Sequence, residues 1–185
     1  MPIAINGSGT VTGISTGGIS DTKAVADAAM PPGAILQVLQ VVKTDTFSMN
    51  SVNFTDITGM SQAITFTAGN KILITFNGCV GYDEADQFTN IQLADSADRI
   101  DGAIAAAGGN RIRATSAARG QGNANTEQLS FSYLDSPSGT SETYKVRMRI
   151  ANAGRTSYLN RSGADEDQSY RSRTISTLTL MEIQA

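Results

Sequence analysis

Two carboxylate clusters, Asp83-Glu84-Ala85-Asp86 and Asp165-Glu166-Asp167, are where this sequence comes nearest to chemistry. Calcium accepts oxygen ligands of this kind, but neither cluster has the regular alternation and central glycine of a calcium loop, and solvated turns carry such clusters routinely. A carboxylate pair also serves glycoside cleavage, yet with twelve aspartates and five glutamates such pairs arise from composition alone. The chain has no histidine, which removes the commonest general base and metal ligand, and with it every Ser-His or Cys-His nucleophile system. The single cysteine, Cys79, has no second thiol to bridge, and its place in the apolar run Ile72 to Val80 marks it as a small core residue. Gly7-Ser8-Gly9 and Gly17-Gly18 lack the lysine, the preceding buried strand and the helix opening of a phosphate loop. Asn53-Phe54-Thr55 and Asn160-Arg161-Ser162 match the glycosylation tripeptide, which is common by chance. No catalytic, cofactor or metal site emerges, and the expectation is a protein that is not an enzyme.

The 185 residues suit one domain plus a tail, with enough chain for an ordinary core and no need of a metal or disulfide. Fourteen basic against seventeen acidic residues give a net charge of −3, the opposite of what attracts a phosphate backbone, so no nucleic-acid partner is expected. The opening Met1 to Gly7 has neither a basic region nor a sustained apolar run, so the expectation is no cleaved secretory signal, no membrane partner, and folding in a reducing cytoplasm.

From Ala34 onward, short apolar runs recur between turn-forming clusters: Ile35 to Val42, Val52 to Ile57, Ala63 to Thr67, Ile72 to Val80, Phe88 to Leu93, Leu129 to Leu134, Tyr144 to Ile150 and Thr156 to Leu159. Thr58-Gly59, Ala68-Gly69-Asn70, Asp135 to Gly139 and Asn152-Ala153-Gly154 read as the breaks between them. Many short strands with almost no helical pattern predict an all-β antiparallel sandwich. In Tyr144 to Ile150, Tyr144, Val146, Met148 and Ile150 face inward and Lys145, Arg147 and Arg149 form an outward row of cations, read as a solvated sheet face. Between Gly102 and Asn125 the residues are small and polar, which predicts the longest loop region, interrupted by a strand near Arg111 to Ala114, and the leading candidate for a variable contact surface.

The last run, Arg173 to Ile183, is rich in β-branched residues and predicts the final strand. Ile175, Met181 and Ile183 share one face, Leu178 and Leu180 the other. Apolar residues on both faces fit either a central strand of a monomer or a strand with a core on one side and a second subunit on the other. These five residues are the candidate subunit interface.

At the other end, Ile3 to Ile19 scatters aliphatics among glycines and hydroxyl residues, too sparsely to bury a core. Residues 1–33 are read as an extended attachment arm whose contacts would be Ile3, Ile5, Val11, Ile14 and Ile19. A short helix at 20–30, capped by Ser20 or Asp21, fits its alanines. Pro31-Pro32-Gly33 stops that helix, and residues 34–185 form the knob.

Four segments of the C-terminal third carry a resemblance: Leu129 to Pro137, Thr143 to Arg147, Tyr158 to Ser162 and Ser176 to Ile183. Together they resemble the head domains of phage structural proteins, found in capsid decoration (cement) proteins and tail fibres of marine and cyanobacterial phages. Ile5 to Ile14 is similar to the arms that precede such heads. The resemblance implies a jelly roll of the tumour necrosis factor kind, a homotrimer with its last strands near the threefold axis, and no catalytic residues. It further implies a virion location on the capsid or tail after assembly in the host cytoplasm, with the major capsid protein or a tail protein as partner. The arm, at most ~110 Å when extended, is short for a shaft, which favours decoration over a tail fibre or receptor-binding protein; a carbohydrate-binding module is the alternative of a different class, separated by glycan binding.

Overall fold

Alternation of apolar and polar side chains builds most of this molecule, whose computed structural model describes residues 30–185. The strands are β1 (Ile35–Lys43), β2 (Phe47–Met49), β3 (Thr55–Thr65), β4 (Lys71–Tyr82), β5 (Phe88–Ala94), β6 (Ser116–Arg119), β7 (Thr126–Asp135), β8 (Ser141–Ile150), β9 (Ser157–Leu159) and β10 (Ser176–Ile183). A single 3-10 turn, Asp101–Ala103, lies between β5 and β6.

Every pairing is antiparallel. One sheet runs β1-β10-β4-β7, with β2 and β9 extending the β1 and β10 positions along the far half of β4. The other runs β3-β8-β5-β6. The chain passes from one sheet to the other between β2 and β3, β3 and β4, β4 and β5, β6 and β7, β7 and β8, and β8 and β9. Two four-position sheets wound in this order are a jelly roll. The arm at 1–33, apart from its last residues, and the helix at 20–30 lie outside the described residues.

The core fills the space between the sheets. Ile72, Ile74, Phe76, Val80 and Tyr82 of β4 enter it from one side, and Tyr144, Val146, Met148 and Ile150 of β8 from the other. Burying each such side chain contributes about 1.5–3 kcal/mol. Leu178 and Leu180 also point inward with no exposure.

Thr58-Gly59 does not break the chain. The β3–β8 register passes from Asp56↔Arg147 to Ser61↔Lys145 across a bulge, and Gly59 there has φ +82°, which a side chain would resist. The extra residues bring Ile57 and Met60, which a regular strand would set on opposite faces, both into the core. The strand expected near Arg111 to Ala114 forms instead as β6, where Ser116 to Arg119 pair with Ile91 to Phe88. Pro31 to Ala34 form a turn closed by the Ala34 N–H donating to Pro31 O at 3.0 Å, with Gly33 at φ +87°. Gly33 N–H donates to Gln184 O at 2.8 Å, and Gln184 N–H to Ala34 O at 2.9 Å, so the turn is clasped to the end of the last strand.

Two buried polar residues lock this frame. Asn160 is fully buried in the left-handed conformation, φ +65°, which asparagine tolerates better than most residues. Its Nδ2 donates to Lys43 O and Asp45 O, both at 2.9 Å, and its Oδ1 accepts from Ser176 Oγ at 2.7 Å. Those bonds hold the bend between β1 and β2 against the gap between β9 and β10. The tripeptide at Asn160 is therefore no surface acceptor.

Glu182 is the second, a buried carboxylate without a cationic partner among the described residues. It accepts from Gln37 Nε2 (2.6 Å), Thr67 N (2.8 Å) and Asn70 Nδ2 (2.7 Å), tying β1, β10 and the β3–β4 turn together. Burial works against its charge, but these bonds outweigh it and hold its pKa below the ordinary glutamate value. A depressed folded pKa supplies stability above the unfolded-state value and loses it as pH falls through the folded one. Glu182→Gln is therefore expected to lower the unfolding temperature most near neutral pH, with the deficit shrinking below about pH 4.3. Thermal melts of both proteins across pH check this, and a deficit independent of pH would contradict it.

Candidate assembly interface

Period-two strands give each sheet an outer face, and the two outer faces differ in character. On β1-β10-β4-β7 the outward residues form rows across the strands: Val38–Met181–Leu73–Leu134, Gln40–Thr179–Thr75–Ser132 and Val42–Thr177–Asn77–Ser130. Ile35, Ile183 and Lys71 make the row at one end. Lys71 is the only charged residue in these rows. Val38, Val42, Leu134 and Ile35 are exposed, as is Ile175 at 56% beyond the other end. Large apolar side chains gathered on a strip of sheet that carries one charge are what an interface between subunits requires.

Ile175, Met181 and Ile183 lie on this outward side, as the alternation of the last strand implied. Leu178 and Leu180 are corrected out of the candidate interface: at 0% exposure they are spent inside the protomer's own core and cannot touch a second subunit. Val38, Val42, Leu73 and Leu134 were missed by the sequence reading. The signal was present, since Val38 and Val42 break the inward period of β1 much as Met181 breaks that of β10.

Cys79 also faces outward. The inward residues of β4 are even-numbered, so the apolar run that marked Cys79 as core places it on the opposite side, half-exposed, its thiol donating to Gln128 Oε1 at 3.3 Å. It is corrected from core to surface.

The outer face of β3-β8-β5-β6 is charged. The cations of β8 are not a free solvated row: Arg147 pairs with Asp56 at 2.8 Å and with Asp98, and Lys145 with Asp56 at 3.3 Å. Burial opposes the Arg147 charge, but the bonds to Asp98 and Asp56 more than compensate and hold its pKa above the usual range. Arg149 is buried, with its guanidinium 6.0 Å from the Phe54 ring centre, and burial alone lowers its pKa.

Among the described residues, all the carboxylates of the two acidic clusters except that of Asp167 are committed to partners as well. Asp83 Oδ2 accepts from Thr156 N at 2.8 Å, Glu84 pairs with Arg155, and Asp86 with Arg119 at 2.5 Å. Asp165 pairs with Arg173 at 2.7 Å and Glu166 with Arg171 at 3.0 Å. Among the described residues no three cysteine, aspartate or glutamate side chains gather in a way that could hold a metal ion. The attachment residues Ile3, Ile5, Val11, Ile14 and Ile19 lie outside the described residues.

Fold and faces together define an all-β jelly-roll sandwich with one nearly uncharged, partly apolar outer sheet and one ion-paired outer sheet. No family model matches the chain, and no curated protein matches it.

Proposed function

We propose that this chain is a non-enzymatic phage virion protein, a trimeric jelly-roll knob anchored to the capsid by its N-terminal arm as a cement or decoration protein. The observation that carries the reading is the nearly uncharged outer face of β1-β10-β4-β7, with its row Val38–Met181–Leu73–Leu134. A second copy of the same chain is the occupant it suits. The face offers few charges to neutralise and several apolar side chains to bury, and a threefold arrangement repeats that gain in each subunit. The sequence resemblance to phage head domains supplies the virion context. The sparse aliphatics of residues 1–33 supply the attachment arm.

Removing the arm tests the reading. The cut belongs before Met30, because Gly33 and Ala34 are bonded to Gln184 and form part of the body. The shortened protein is expected to remain a folded trimer but to stop binding phage particles that lack the native protein. Particle pull-down with size-exclusion chromatography reads both properties. Binding retained without the arm would move attachment to the knob, and loss of the trimer would make the arm part of the oligomer's own core.

A further inference from the structure

On the ion-paired side of the sandwich, the segment after β5 folds back over the sheet. Arg111 N–H donates to Gly108 O at 3.3 Å, Ala105 N–H to Ala114 O at 3.2 Å and Thr115 N–H to Ile91 O at 2.9 Å, which anchors the 105–115 loop beside β5. Between this loop, the 95–101 turn and the outer face of the sheet lies an open cleft of about 400 Å³. Arg99, Arg111, Arg113 and Arg147 line it against a single carboxylate, Asp98. Even with Asp56 and Asp101 counted, the first paired with Arg147 and the second with Arg99 and, at 3.8 Å, with Arg113, cations are in excess, in a chain whose net charge is −3. Arg111 has no carboxylate partner among the described residues, its Nη1 donating only to Gly108 O at 3.3 Å.

The geometry points to this cleft as a binding site for an acidic glycan, one that presents uronate carboxylates among sugar hydroxyls. Guanidinium forks suit a planar carboxylate: Arg111 offers one without a carboxylate partner among the described residues, and Arg113 a second that is held in place by its Nε bond to Ala105 O at 2.8 Å and lies 3.8 Å from Asp101. Asp98 and Gln92 in the wall provide acceptors and an amide for hydroxyl groups, while Phe54 and Ile112 provide apolar surface for the C–H face of a pyranose ring. Asp98 also selects among anions. A fixed negative charge in the wall opposes a dense phosphate chain more than a singly charged carboxylate flanked by hydroxyls. The cleft sits on the sheet opposite the candidate assembly face, so its occupancy does not depend on the oligomer reading.

Isothermal titration of the full chain with a galacturonate hexamer, a neutral galactose oligomer and a linear polyphosphate of equal charge tests the proposal. The expected result is saturable binding of the galacturonate alone. Binding should weaken about tenfold or more in the double variant Arg111→Ala/Arg113→Ala and stay unchanged in Arg173→Ala, which removes an exposed arginine outside the cleft. Should the double variant lose its native thermal transition, Arg111→Ala alone removes a side chain that the fold scarcely uses and should still weaken binding. Equal or tighter binding of polyphosphate would overturn the proposal in favour of an unselective anion patch. No galacturonate binding, or unchanged affinity in the arginine variants, would overturn it outright.

Discussion

Asn160→Ala is expected to destabilise the fold by roughly 3–5 kcal/mol, a large share of the stability of an ordinary domain. Two physical effects add. Alanine at φ +65° carries a steric cost of about 1–2 kcal/mol, and the buried carbonyl of Lys43, the carbonyl of Asp45 and the buried hydroxyl of Ser176 lose their partner. Asn160→Gly separates the two contributions, because glycine relieves the backbone cost and leaves the polar groups unpaired. Urea unfolding midpoints should therefore fall in the order wild type, Asn160→Gly, Asn160→Ala. An alanine variant within about 1 kcal/mol of wild type would show that the bend between β1 and β2 holds without its asparagine clasp.

A neighbouring pair on β10 distinguishes core from interface. Leu180 is fully buried and Met181, next to it, faces outward in the apolar row. Leu180→Asp places an unpaired carboxylate in the core and is expected to abolish folding, leaving no cooperative thermal transition. Met181→Asp places the same charge between Val38 and Leu73 on the outer face. The expected product is a folded monomer with a near-native circular dichroism spectrum. A trimer unchanged by Met181→Asp would remove this face from the assembly, and a folded Leu180→Asp protein would contradict the packing of the two sheets.

Much of this architecture was legible from alternation. In β8 the inward set Tyr144, Val146, Met148 and Ile150 is as the period-two pattern implies, because those side chains are what the core is made of. Legibility failed where tertiary contacts decide. Phe47–Met49 forms a strand of only three residues because β9 lies beside it, and nothing local announces that. Gly59 reads as a turn residue in isolation, yet the same positive φ serves a bulge when β8 continues past it. Cys79 could have been placed by counting parity from Ile72 and Ile74, whereas the polarity of its run gave the wrong side.

The surfaces divide in the same way. Apolar residues on both faces of β10 were visible in the sequence, but which face turned inward depended on the sheet opposite. The arginine cleft was only partly visible. Its loop, within Gly102 to Asn125, stood out as a contact surface, but Arg99 and Arg147 come from segments that meet it only once β5 and β8 pair. Asn160 matched a modification tripeptide, and only its burial reveals a structural clasp.

Native mass spectrometry of the intact chain at micromolar concentration tests the assembly claim most directly. The expected spectrum is dominated by a species of three times the chain mass, which Met181→Asp converts to the single-chain mass. A wild-type protein that stays monomeric across that concentration range would contradict the claim.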